Sequence, residues 1–161
     1  RPATGRLNSG VRWWMKILRT ANEINVFNTL DELYACDQFL DKDLAEAESL
    51  FRENTLLYSE SLMHMGPVAA LFYGSALVSY VRSSDARGDI EAASSLISVV
   101  EVWLHAGMDL SSITNDLLHS MQDIHDKFAF YAVDEISRKI YRDVPRRARK
   151  VVDKLRLQAT T

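Results

Sequence analysis

Cysteine occurs once in the 161 residues, at Cys36, which excludes an internal disulfide framework and a zinc site built on several thiolates. Three prolines and six glycines are too few for the frequent chain reversals of an all-β fold. No run of about 18 uninterrupted apolar residues is present, so the sequence spells no membrane-spanning helix. Acid is missing from residues 1–22, which carry Arg1, Arg6, Arg12, Lys16 and Arg19. What is plentiful is apolar surface: 47% of residues are hydrophobic against 25% charged, enough for a packed core. An all-α chain forming a single domain is the expectation.

The net charge of −3 hides an asymmetry: residues 1–22 carry +5, residues 23–137 carry −15 and residues 138–161 carry +7. An acidic body between basic ends is a poor general phosphate-binding surface, which needs a continuous positive footprint. The densest positive stretch is Arg146, Arg147, Arg149 and Lys150, just after Pro145. It suits an acidic partner, RNA or an anionic lipid surface, and its plainer reading is the solvated face of a terminal helix. The sequence begins at Arg1 rather than methionine. An Arg-rich, acid-free beginning is what remains beside a removed organelle transit peptide, and a trimmed boundary gives the same start.

Helical periodicity dominates. Val11, Trp14, Ile17 and Leu18 share one face of a helix predicted over 11–22, with Arg12, Lys16 and Arg19 opposite. A second helix is predicted over 25–39. A third starts at Asp43, whose capping box closes on Glu46, with Leu44, Ala47, Leu50 and Phe51 as its apolar stripe. Whether 57–66 continues it or forms an irregular connector stays open. Gly66-Pro67 breaks the chain, and Pro67 opens a helix to about Ser83 that buries Leu71, Phe72, Leu77, Tyr80 and Val81. Gly88-Asp89 starts another, with Ile90, Ala93, Leu96, Ile97, Val100 and Leu104 at i, i+3, i+4 spacing and Gly107 as its stop. Ser111 is the expected cap of a short helix through Met121, a further helix covers 125–142, and Pro145 opens the last. The result is roughly eight helices with short connections, an array of antiparallel hairpins.

An internal repeat carries the architecture. Residues 27–51 laid over 73–97 place Phe27 on Tyr73, Thr29 on Ser75, Tyr34 on Tyr80, Asp43 on Asp89, Leu44 on Ile90, Ala47 on Ala93, and Leu50-Phe51 on Leu96-Ile97. The shared plan is an aromatic residue opening helix A, a capped helix B, a small residue where the two cross, and a bulky pair behind it.

The segments Asn25–Leu30 and Leu44–Phe51, with their second copies at Tyr73–Val78 and Asp89–Ile97, resemble the pentatricopeptide (PPR) repeat. Ala106–Leu118 resembles its inter-repeat linker and the start of a third helix A. The resemblance covers 24–142 and implies a PPR- or TPR-like α-solenoid, flanked by an N-terminal arm and capping helix (1–23) and a basic C-terminal helix (143–161). It departs from the family in its longer hairpins, by roughly one helical turn. The family reads RNA with a polar residue just after the helix A aromatic and the last residue before the next repeat. Those positions fall on Asn28 with Ala69, and on Gly74 with Ser111. Ala69 and Gly74 offer no side-chain hydrogen bond to a base, so one-base-per-repeat readout is not expected.

Chemistry is sparse. His64, His105, His119 and His125 belong to no His-Glu-x-x-His zinc helix, and the lone Asp116-x-x-His119 pair lacks the partners a di-iron bundle needs. Cys36 reads as a small buried residue rather than a nucleophile. The glycines are isolated, so no phosphate loop forms. No catalytic, cofactor-binding or metal-ligating residue is assigned, and an enzyme is not expected. Trp13-Trp14 point about 100° apart on a helix, so both pack on the first hairpin as a cap or one anchors a partner.

Partner binding is therefore assigned to Trp13, Trp14, Asn28, Arg146, Arg147, Arg149 and Lys150. Among PPR-like proteins the chain is similar in length, charge and lack of an RNA code to accessory subunits on the catalytic head of the euglenozoan mitochondrial ATP synthase. That likeness implies a non-catalytic role, α subunits of the head as partners, and a place on the matrix side of the inner membrane. The alternative is a PPR-type RNA binder or a mitoribosome-associated subunit.

Overall fold

The computed structural model describes residues 19–160, and these are helical throughout, with no strand among them. The elements are α1 (Ala21–Ile24), α2 (Leu30–Phe39), α3 (Leu44–His64), α4 (Pro67–Arg82), a 3-10 turn at Ser84–Ala86, α5 (Ile90–His105), α6 (Thr114–Asp126), α7 (Phe128–Tyr131), α8 (Glu135–Ile140) and α9 (Val144–Ala159). The helix expected over 11–22 lies mostly outside the described residues.

Short-range chemistry sets most starts and stops. Asp43 accepts the Glu46 N–H at 2.8 Å while Glu46 accepts the Asp43 N–H at 2.8 Å, closing the predicted capping box. Asp89 accepts from the Ala92 N–H at 2.9 Å, and α4 opens on Pro67. Gly107, at φ 69°, follows α5 in the left-handed conformation that ends helices.

Three expectations shift. The helix predicted over 25–39 starts only at Leu30, because Asn28 has φ 57° and no right-handed helix passes through it. Ser111 caps nothing: its N–H is taken by the Asp109 carboxylate at 3.0 Å, and α6 begins three residues later. The short helix expected to end at Met121 runs on to Asp126, and the helix expected over 125–142 is otherwise two pieces, α7 and α8. Lys127 departs from helical angles, and Asp134 starts afresh by accepting the Ser137 N–H at 2.8 Å. The open stretch 57–66 is helical as far as His64. Asn54 interrupts α3 at φ −154°, ψ 86°, and its side chain accepts the Leu57 N–H at 3.1 Å to begin the second half.

The helices α2 and α3 pair; α3 lies against α4 and α5; α4 also meets α6, and α5 meets α9, which packs on α6. The core is continuous, running from Ile24, Phe39 and Phe51 through Tyr73, Leu77, Leu96 and Trp103 to Leu117, Met121, Val151 and Leu155. Phe39 stands at the first junction, 5.7 Å from Phe51 and 4.9 Å from Tyr73 between ring centroids. Leu77, Tyr80 and Val81 are buried as expected, whereas Leu71 and Phe72 stay half-exposed. Phe72 carries the Arg19 guanidinium 4.6 Å above its ring.

The matched copies agree in their second helices and differ in their first. Asp43 and Asp89 are both caps, and Ala47, Ala93, Phe51 and Ile97 are all fully buried. Phe27 precedes α2 and is 80% exposed, whereas Tyr73 is buried inside α4.

Candidate docking surfaces

The last helix divides cleanly. Val144, Ala148, Val151, Val152 and Leu155 face the core, while Arg146, Arg149, Lys150, Asp153 and Leu157 recur at i, i+3, i+4, i+7 and i+11 on the outer face. On α9, Arg146, Arg149, Lys150, Lys154 and Arg156 form no ion pair with any described residue; elsewhere Lys42, Arg87, Arg138 and Arg142 also form none, whereas Arg52, Arg82, Lys127 and Lys139 do. More of the cations without an ion pair stand on α9 than on any other element. No acid stands in the first turn of α9, so Arg146 and Arg147 sit at the positive end of the helix dipole, where cations are disfavoured.

Arg147 is set apart from its neighbours. Its guanidinium reaches Glu101 at 2.7 Å and Ser98 at 3.0 Å on α5. The hydrogen bond it donates to Glu101 is the main reason its pKa is raised. Arg147 is therefore held within the chain as a clasp between α5 and α9. Asn28 is exposed and accepts a hydrogen bond from the Asn25 amide at 3.2 Å, a turn contact beside its left-handed backbone. Trp13 and Trp14 lie outside the described residues.

One member of each base-reading pair suggested by the repeat is closed, while Asn28 and Ser111 stay exposed. Ala69 is fully buried. A Cβ added to Gly74 would lie 2.4 Å from the Trp103 ring, so this glycine lets α4 and α5 approach rather than facing a ligand.

A second surface had no place among the sequence-derived residues. Helix α2 is apolar on both sides: Ala35 and Phe39 enter the core, while Leu30 (84% exposed), Leu33 and Tyr34 face outward. Beside them stand exposed Val26, Phe27, Leu56 and Leu57. A groove of about 190 Å³ between α2 and α3 is lined by Asp31, Tyr34, Leu57, Glu60, Ser61 and His64. The signal was present in the i, i+3, i+4 spacing of Leu30, Leu33 and Tyr34. Pattern alone assigns such a stripe to the core.

The beginning of α2 is fixed by Glu32, which is 2% exposed. Its carboxylate accepts the backbone N–H groups of Val26 (2.9 Å), Phe27 (3.0 Å) and Thr29 (2.9 Å) and the Thr29 hydroxyl (2.9 Å). Burial alone raises the pKa of this group, but the four donors outweigh it and hold the carboxyl at about 2.

Catalytic geometry does not assemble among the described residues. The histidines are dispersed, and no group of three metal-ligating side chains occurs there. His125 contacts Asp126 at 2.8 Å on an exposed turn, and Asp116 pairs with Arg82 rather than His119. The hollow beside that pair is lined by Ser75, Ser79 and Ser83, whose hydroxyls donate to the Phe72 carbonyl, the Glu48 carboxylate and the Tyr80 carbonyl. Burial raises the Cys36 thiol, disfavouring the thiolate a nucleophile needs. No helix of the described residues is long and apolar enough to cross a membrane. No protein-family model matches the chain, and no curated protein or solved structure does either.

Proposed function

We propose that this chain is a non-catalytic docking subunit of a larger assembly. The observation that carries the reading is the outer face of α9, where Arg146, Arg149, Lys150, Lys154 and Arg156 form no ion pair with any described residue and Arg146 stands at the end where the helix dipole opposes a cation. Unpaired charge gathered on one helix is understood when the counter-charge lies on a partner.

The architecture proposed for it is an α-solenoid of three hairpins: α2 with α3, α4 with α5, and α6 with α9, with α7 and α8 as an insertion before the last helix. Contacts of first helix to first helix (α4 with α6) and of second to second (α3 with α5, α5 with α9) support that stacking. The assembly proposed is the catalytic head of the mitochondrial ATP synthase, with an acidic surface of its α subunits meeting α9. That identification rests on the PPR resemblance. The RNA-reading alternative loses support from buried Ala69 and from Gly74 beneath Trp103.

The test is native electrophoresis of mitochondria from cells that make this chain, with mass spectrometry of every band containing it. Co-migration with ATP synthase α and β subunits, persisting when the soluble head is released, is the expected result. A free monomer, or co-migration with ribosomal proteins, overturns it.

A further inference from the structure

Of the thirteen large apolar side chains exposed among the described residues, seven fall between Val26 and Leu57, and α9 contributes only Leu157. Tyr34 at 51% exposure and Leu57 at 37% line the groove between α2 and the second half of α3, and Leu30 at 84% and Leu56 at 63% stand on the same two helices. Exposed apolar side chains bordering a groove mark an interaction surface rather than scattered exposure.

Its lining is mainly acidic, with two carboxylates against the one imidazole of His64. Asp31 and Glu60 line the groove itself, and exposed Asp37 and Glu53 lie on the same two helices. Between Val26 and His64 the basic side chains are Lys42, Arg52 and His64, and Arg52 is occupied by Glu48 at 2.8 Å and by Asp85. Other acids nearby are committed elsewhere: Glu32, Asp43 and Glu46 to backbone N–H groups, and Glu48 to Arg52 and Ser79. Asp31 meets His64 across the groove at 3.9 Å, whereas Glu60 forms no ion pair with a described residue, so the carboxylates of the groove outnumber its one basic side chain. A nucleic acid or an anionic bilayer is repelled by such a rim, which leaves a protein surface as the class of ligand.

We propose that the α2–α3 groove docks a basic amphipathic helix of a partner protein. Tyr34 and Leu57, with exposed Leu30 one turn before Tyr34 on α2, receive its apolar stripe, and Asp31 and Glu60 pair with lysines or arginines flanking that stripe. This is helix-in-groove recognition, in which anchors at i, i+3, i+4 and i+7 of the ligand supply affinity and the charged rim supplies orientation. The inference rests on the docking-subunit reading and places a second contact on the molecule, of opposite charge to the α9 face.

The probe is a fluorescently labelled synthetic Leu/Lys amphipathic helical peptide titrated with the full chain, with a Leu/Glu peptide of the same pattern as control. Saturable binding of the lysine peptide and none of the glutamate peptide is expected. The pairs Leu30→Ser with Leu57→Ser, and Asp31→Lys with Glu60→Lys, each weaken it at least about tenfold. All four side chains point outward, so melting temperatures stay at the wild-type value and loss of binding is not loss of fold. The proposal is overturned if both pairs bind within about twofold of wild type. It is equally overturned if the full chain ignores the lysine peptide, including the case in which a peptide of residues 1–18 takes the groove instead, or if phosphatidylglycerol vesicles or poly(U) bind there. Co-migration of the same variants in native gels separates the two readings. Wild type absent from every complex defeats the docking reading while leaving the peptide result standing. Variants that co-migrate unchanged defeat the groove alone.

Discussion

Three buried aromatic residues do a job that no local motif announces. The Tyr73 hydroxyl donates to the Phe39 carbonyl at 2.7 Å, Trp103 Nε1–H to Leu62 at 3.2 Å, and the Tyr131 hydroxyl to Val81 at 3.0 Å. Phe39, Leu62 and Val81 lie in the last turns of α2, α3 and α4, where carbonyls have no intrahelical partner. Each donor comes from a later helix, so capping and packing are one interaction. Trp103→Phe leaves the Leu62 carbonyl buried and unpaired, and urea titration is expected to show a loss of about 1–3 kcal/mol. Gly74→Ala is expected to lose about 1–3 kcal/mol by overpacking against Trp103, despite alanine's higher helix propensity. Glu32 gives a pH signature. Its carboxyl titrates at about 2 in the folded chain against 4.5 ordinarily, so the unfolded chain binds the proton more readily in that window. The stability this group contributes is complete above pH 4.5 and lost as pH falls toward 2. Glu32→Gln is expected to cost about 2–3 kcal/mol at pH 7 and to flatten the acid limb of the stability curve, read by urea midpoints at pH 7 and pH 3.

Element boundaries were legible wherever one or two neighbouring residues decide them. Asp43 with Glu46, Pro67, Asp89 and Gly107 act within a single turn, and each lies where its chemistry required. The break at Asn28 and the division of 125–142 into α7 and α8 were not legible. Asn28 adopts its left-handed angle in a loop where the N–H groups of Val26, Phe27 and Thr29 converge on Glu32. Gly88 donates to the Phe130 carbonyl at 2.9 Å, tying the α7 region to a loop 42 residues earlier. Such choices depend on distant partners. The candidate surfaces divide in the same way: the α9 cations were visible as a run, but which of them is clasped by Glu101 was not, nor that the Leu30 stripe is left outside the core. On α9 stability and the proposed docking pull in opposite directions. Arg146→Glu places a negative charge at the start of the helix, and a gain of about 0.3–1 kcal/mol is expected in thermal melts. The same variant is expected to dissociate more readily from the assembly in native gels. A change that stabilises the fold and weakens association is not what a solvated, idle face produces.

At the scale of the molecule, the acidic groove and the basic terminal helix belong to one continuous core, and α9 is the element that closes it. Val144, Val151, Val152 and Leu155 are each no more than 5% exposed, and they pack on α5 and α6. At about 1.5–3 kcal/mol for burying each such side chain, these four contribute an amount comparable to the whole stability of a typical domain, about 5–15 kcal/mol. Their removal also uncovers Leu117, Met121 and Ile124 on α6 and leaves Glu101 without Arg147. A chain ending at Arg142 is therefore expected to retain helical circular dichroism, bind ANS strongly and melt without a cooperative transition. Arg146→Glu, altered at the solvent face of the same helix, is expected to melt as sharply as the unaltered protein. A cooperative melt of the shortened chain within a few degrees of full length would show that α9 is an appendage rather than the closing layer, and its basic face would then have no structural reason to stand at a fixed place relative to the acidic groove.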